Sequence, residues 1–270
     1  DIGIDAVSIA NNHIGDYGPE AARHTITTLG DVFGSENVFG WSERPAVELT
    51  SGLHVVAACF SETNPLVLDD ASRTFTADDL RDLLALKAHS PGQLMLYVHW
   101  GEEYLLLTAP GLRSSARQFK AAGVAHVVGT HSHVVGAAEI VDGFSATYSL
   151  GNFLFHVVRK GNTKLLRRMK RGTVAVFQWD GTKVTLEEFW RSEFDENLNL
   201  CLRRLEHCYP GSLLSQLHLR APDSLAGWSY RAVFASRWFN LGLARLFERV
   251  ERPSLKKVRT ARRQLERRAK

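Results

Sequence analysis

Ile9-Ala10-Asn11-Asn12-His13-Ile14-Gly15-Asp16-Tyr17-Gly18 is the stretch from which the fold can be read. The apolar run over residues 6–10 predicts a short buried strand. It stops at two amides and an imidazole, and glycines follow. Polar side chains at a strand end lie on the rim of a sheet, and in open α/β folds ligands collect at that rim. The alternative is a turn in which Asn and Gly only supply unusual backbone angles.

The same pattern repeats down the chain. Residues 19–29 predict a helix, with Pro19 in the first turn, Glu20 where an acid is favoured and Gly30 as its stop. Residues 53–60 predict a strand, and Thr76-Ala77-Asp78-Asp79 resembles a capping box that starts a helix to about residue 88. A strand over 93–98 delivers His99-Trp100-Gly101-Glu102-Glu103-Tyr104. A helix over 112–122 ends at Gly123, and a strand over 125–128 delivers Gly129-Thr130-His131-Ser132-His133. A strand over 145–150 ends in Gly151-Asn152-Phe153. Strands that end in polar groups and alternate with helices predict an α/β layered domain with its site on one edge. Alternating runs over 173–179 and 183–189 flank Asp180-Gly181, a hairpin signal expected to close the sheet. From about Asp195 leucines and arginines replace β-branched residues, which predicts helix and a boundary there.

Composition sets the outer limits. The chain has 270 residues, 44% apolar and 23% charged, as in an ordinary globular protein. No run is long and apolar enough to cross a bilayer, and no basic-then-apolar leader is present. Taken as complete, the chain is expected to be cytoplasmic or peripheral to a membrane. The opening Asp1-Ile2-Gly3-Ile4-Asp5 lacks Met and already leads into a strand, so a chain cut from something longer is expected. Three cysteines show no Cys-x-x-Cys spacing. Residues 251–270 hold nine Lys/Arg and two Glu, a net of +7, so the other 250 residues carry −3.

His131 and His133 are two apart, so both can reach one centre, and His99 sits at a comparable strand end. Imidazoles converging from several strand ends are a metal-type signal, whereas each alone reads as a structural histidine.

Four ordered motifs resemble the bacterial capsule synthesis (CapA) family of poly-γ-glutamate biosynthesis. They are Ala10-Asn11-Asn12-His13…Asp16-Tyr17-Gly18, His99–Tyr104, Gly129–His133 and Tyr148-Ser149-Leu150-Gly151-Asn152-Phe153. That family is similar to the calcineurin-like metallophosphoesterases, and the resemblance covers roughly residues 1–190. It implies a layered α-β-β-α metallophosphatase-like sandwich over 1–193, here N-terminally incomplete, followed by a helical, basic region over 194–270. By the same resemblance, Asn12, His99, His131 and His133 match metal ligands, and His13 matches a general acid. Asp16 would orient His13, and Glu103, less surely Glu102, would hold a ligating histidine from behind. Two divalent ions (Mn, Zn or Fe) are expected in the complete family protein, where they would activate a water.

Two departures stand out. Ser132 replaces the family's usual Pro, which is expected to loosen the loop. The family's early Gly-Asp and Asn-Leu-Glu segments are absent, so the named ligands are all uncharged. Neutral donors leave the charge of two cations uncompensated, and metal binding by this chain is expected to be weak or absent. Two functions follow. One is a metal-dependent phosphoesterase-like hydrolase of capsule biosynthesis, acting on an anionic polymer or a phosphorylated substrate. The other is a non-catalytic capsule-assembly or polymer-binding protein on the same scaffold. Residues 228–250 read as a helix with Arg231, Arg237, Arg245 and Arg249 on one side. That helix is expected to pack on the domain or, with the basic tail, to touch an anionic membrane surface or polymer. Nucleic acid is not an expected partner, since no recognised motif accompanies the basic tail.

Overall fold

The computed structural model describes residues 3–60, 85, 92–153, 171–194, 200–205, 213–228 and 230. Its centre is a six-stranded mixed sheet in the order β3-β4-β5-β6-β8-β7. The strands are β3 (Ala46–Thr50), β4 (Leu53–Cys59), β5 (Gln93–His99), β6 (His126–Thr130), β7 (Ala138–Val141) and β8 (Phe144–Thr147). β4, β5, β6 and β8 run parallel, and antiparallel β3 and β7 close the two edges. A parallel sheet buries both faces, and successive side chains of a strand serve opposite faces. From β5, Leu94, Leu96 and Val98 pack with Ala116 and Phe119 of α2 (Pro110–Ala121), while Met95 and Tyr97 face the other way.

That second face is covered twice. The parallel pair β1 (Val7–Ser8) and β2 (Val38–Phe39) brings Ala10 and Phe39 onto Val47 and Ala57. A separate three-stranded antiparallel sheet, in the order β11-β10-β9, supplies Phe177, Trp179 and Val184 over Leu53, Met95 and Val128. Its strands are β9 (Arg171–Trp179), β10 (Val184–Phe194) and β11 (Leu200–Arg204). The hairpin therefore forms as expected, but it stacks on the first sheet instead of closing it. Both edges of that sheet are already taken by β3 and β7, and its apolar face still needs cover. Buried His126 fastens the two sheets. Its Nε2 donates to Val184 O at 3.0 Å, so its Nδ1 accepts from Ser145 Oγ at 2.7 Å.

Two local expectations are corrected. Helix α1 (Gly18–Phe33) runs through Gly30 and ends at Gly34, whose φ is 87° and whose N–H donates to Gly30 O at 2.9 Å. The chain returns over Gly30, where a Cβ would meet Ser35 at ordinary contact distance, 3.4 Å from its Cα. The helical reading after 195 also fails at β11, where Leu200–Arg204 pairs antiparallel with β10. An open strand edge outweighs the helical preference of Leu and Arg. Helix α3 (Leu213–Arg220) follows, and its Leu219 joins the core beside α2. The chain divides into units Asp1–Gly227 and Trp228–Lys270. Apart from single residues, the helices expected over 76–88 and 228–250 lie outside the described residues.

Gly129 allows the central strands to approach. A Cβ there would stand 2.4 Å from Trp100 Nε1 and 2.5 Å from Tyr148 O, and the indole N–H donates to that carbonyl at 3.0 Å. Gly129→Ala is therefore expected to cost about 1–3 kcal/mol or more. Thermal denaturation should show a melting temperature lower by roughly 3–10 °C; an unchanged melting curve would contradict the packing.

Candidate metal and catalytic site at the strand-end rim

The C-terminal ends of β5 and β6 are in register, with His99 opposite Thr130. His99, Thr130, His131 and His133 are thereby gathered on one rim. Asn12, on the loop after β1, reaches the same place, and its Oδ1 lies 2.8 Å from His99 Nε2. The His99 and His131 rings are 4.5 Å apart and those of His131 and His133 6.4 Å. His131 is buried and His99 and His133 are half-buried. His131, His133 and Tyr104 hold φ values of 91°, 59° and 62°, backbone that side-chain-bearing residues rarely adopt. Such strain persists where surrounding structure fixes it and concentrates at functional sites.

The two amides of the opening motif do different work. Asn11 shapes the turn: its Oδ1 accepts from His13 N–H at 2.9 Å and its Nδ2 donates to Ile9 O at 3.0 Å. Asn12 goes to the histidines. His13 is exposed, with Nδ1 2.8 Å from Asp16 Oδ2, which fixes the ring and keeps Nε2 out of that pairing. Ser132 does not loosen its loop. Its hydroxyl donates to Val134 O at 2.9 Å, and its carbonyl accepts Tyr104 N–H at 2.7 Å. Glu102 is exposed and Glu103 half-buried on the loop after β5. Among the described residues Glu103 makes no hydrogen bond to a histidine.

Other residues orient the rings from behind. Asn152 Nδ2 donates to His133 O at 3.4 Å, which turns its Oδ1 toward His133 Nδ1 at 2.9 Å. His133 Nδ1 therefore carries the proton and Nε2 the lone pair. Thr130 Oγ1 lies 3.2 Å from both Val98 O and His99 Nδ1, and His99 Nε2 is hydrogen-bonded to Asn12 Oδ1 at 2.8 Å. Thr130 and Asn152 lie within the third and fourth motifs, with no role expected of either from the sequence. The available signal was position: one precedes His131, and the other closes the fourth motif.

Burial, reinforced by the nearby rings of His131, His133 and His13, lowers the His99 pKa to about 3. Burial also lowers that of His126. Both rings are thus neutral in the folded protein and take up protons near the ordinary histidine value when unfolded. The unfolded state binds more protons between about pH 6.5 and 3, so stability falls as pH drops through that window. Urea midpoints should decline from pH 7 to pH 5, and His99→Gln should lose a smaller share; equal losses would contradict a neutral His99.

Neutral imidazoles with oriented Nε2 atoms are the form that binds a cation. Where Asn12 meets His99, the ring Nε2–H donates to Asn12 Oδ1, and a cation taking both groups would displace that proton. Donors about 2.1 Å from one ion stand roughly 3 Å apart, which matches the observed 2.8 Å. Two cations would need carboxylates, and among these residues Asp16 is engaged by His13 while the other donors are uncharged. Among the described residues no group of three His, Cys, Asp or Glu side chains is arranged so that it could hold a metal ion.

A family model described as bacterial capsule synthesis protein PGA_cap matches residues 1–157, which include every rim residue above. The chain is also similar to the capsule biosynthesis protein CapA of Bacillus anthracis. They are 26% identical over 166 residues, covering 57% of this chain and 40% of that protein. The PGA biosynthesis protein CapA of Bacillus subtilis strain 168 is 25% identical over 170 residues, covering 57% of this chain and 43% of its own length. The chain thus spans about two fifths of the length of these curated relatives.

Proposed function

The chain belongs to the bacterial capsule synthesis family, and from that membership we propose that its rim is the working centre of a metal-dependent, phosphoesterase-like step in building a poly-γ-glutamate type of capsule. The contact between Asn12 and His99 carries this reading, because it joins motifs 87 residues apart at 2.8 Å. The sheet covered by α2 on one face and by a second sheet on the other supports a metallophosphatase-like sandwich. His99, His131, His133 and Asn12 would hold a divalent cation of the Mn, Zn or Fe kind. When bound, that ion supplies a Lewis acid and a water of lowered pKa. His13 hands a proton from Nε2 to the leaving oxygen, and Asp16 holds its ring for that purpose. Tyr104, with its ring stacked 5.5 Å from His133, screens one side of that imidazole from water.

The second reading, a polymer-binding or assembly protein without turnover, is favoured because the rim donors Asn12, His99, His131 and His133 are all uncharged. Equilibrium dialysis of the full chain with Zn²⁺ or Mn²⁺, followed by an aryl phosphodiester assay, separates the two. Binding of a single cation with hydrolysis supports the first; neither binding nor hydrolysis supports the second. Among the described residues no helix is long and apolar enough to cross a membrane. The basic residues of 251–270 are proposed to contact an anionic membrane surface or the capsule-assembly machinery.

A further inference from the structure

The second sheet is anchored at both ends. Near its β9–β10 turn, Val184 N–H donates to Gln93 Oε1 at 2.7 Å, at the start of β5. At the opposite end Thr173 N–H donates to Leu150 O at 2.7 Å, and Gly151 bridges Gly172. That end lies on the histidine rim. A Cβ on Gly172 would stand 2.3 Å from the carbonyl oxygen of Asn152, the residue that holds His133.

The rim end of this sheet is rich in guanidinium. Register places Arg171 opposite Glu193 and Arg191 opposite both Thr173 and Arg203. Arg171 Nε lies 3.4 Å and Arg203 Nε 3.9 Å from the two oxygens of Glu193, so these side chains share one face. One carboxylate serves both cations, and among the described residues none pairs with Arg191. All three arginines are exposed. Like charges directly opposite on neighbouring strands destabilise a sheet, and here Arg191 faces Arg203. Three forks span two strand spacings, about 10 Å, and each fork fits a planar carboxylate in bidentate fashion.

We propose that Arg171, Arg191 and Arg203 form a docking face for an acidic polymer whose successive carboxylates run from the second sheet toward the histidine rim. This rests on the polymer-handling reading of the rim given above. Single-stranded nucleic acid would instead be gripped by aromatic stacking, and the aromatic neighbour on this face, Phe189, is buried and presents no ring.

The test is fluorescence anisotropy with a labelled oligomer of γ-linked glutamate, using the full chain at low salt without divalent ions. The double variant Arg191→Ala/Arg203→Ala should bind roughly tenfold more weakly and with a shallower salt dependence. Glu193→Gln should bind more tightly, because it removes the competing carboxylate. The double variant should melt no lower than the parent, since it removes the Arg191–Arg203 opposition. Unchanged affinity of the double variant overturns the proposal, as does equal competition by an oligothymidylate of the same charge. No cation is present and no turnover is read, so a failure of the histidines to bind metal leaves this outcome untouched.

Discussion

His131→Ala is expected to weaken binding of Zn²⁺ or Mn²⁺ by more than about 100-fold, beyond the 10–100-fold that supporting partners of a metal ligand are worth. The reason is its central position. Its ring lies 4.5 Å from that of His99 and 6.4 Å from that of His133, and the residue is only 8% exposed. Without it, Asn12 and His99 hold one end of the cluster and His133 the other, with no donor between. The backbone at φ 91° is strained for alanine as for histidine, so the substitution relieves little, and the melting temperature should stay near that of the parent. Dialysis with metal analysis reads the result. Parental stoichiometry and affinity in the variant would remove His131 from the ligand set.

His13→Ala is expected to leave cation binding unchanged and to lower turnover of an aryl phosphodiester by about 10²–10⁴, the usual worth of a positioned general acid. His13 is exposed and tied through Nδ1 to Asp16 at 2.8 Å, while the cluster is assembled by Asn12 next to it. Binding and proton transfer are thus assigned to adjacent residues with separate partners. Asp16→Asn should fall between parent and His13→Ala, because the amide still orients the ring. Full turnover by His13→Ala would exclude it as the acid, and a loss of cation in that variant would make it a ligand instead.

Much of the rim was legible in the linear chain. Strands ending in His99 and in His131-Ser132-His133 could be read from apolar runs that stop at glycine and polar residues, although β5 runs one residue and β6 two residues past the expected ends. The hairpin around Asp180-Gly181 was equally plain, because its period and turn chemistry are local. Less local matters were misread. Nothing near residue 30 shows that Ser35 folds back against the helix. The Leu and Arg content of 200–204 does not reveal the open edge of β10. Ser132 looked like a weakness until the carbonyl of Val134 and the N–H of Tyr104 were in place beside it.

The sequence by itself determined which side chains reach the rim, because strand period and strand ends are set by residues close together in the chain. Tertiary structure alone decided what each one does there. Asn12 became a partner of His99 only when β2 drew the opening strand beside the main sheet. Thr130 and Asn152 acquired their roles by standing behind histidines 31 and 19 residues away. The arginines of β9, β10 and β11 became one face only through antiparallel register. These are contacts between distant segments, formed by the burial of an apolar sheet that needed cover on both sides, and no local pattern encodes them.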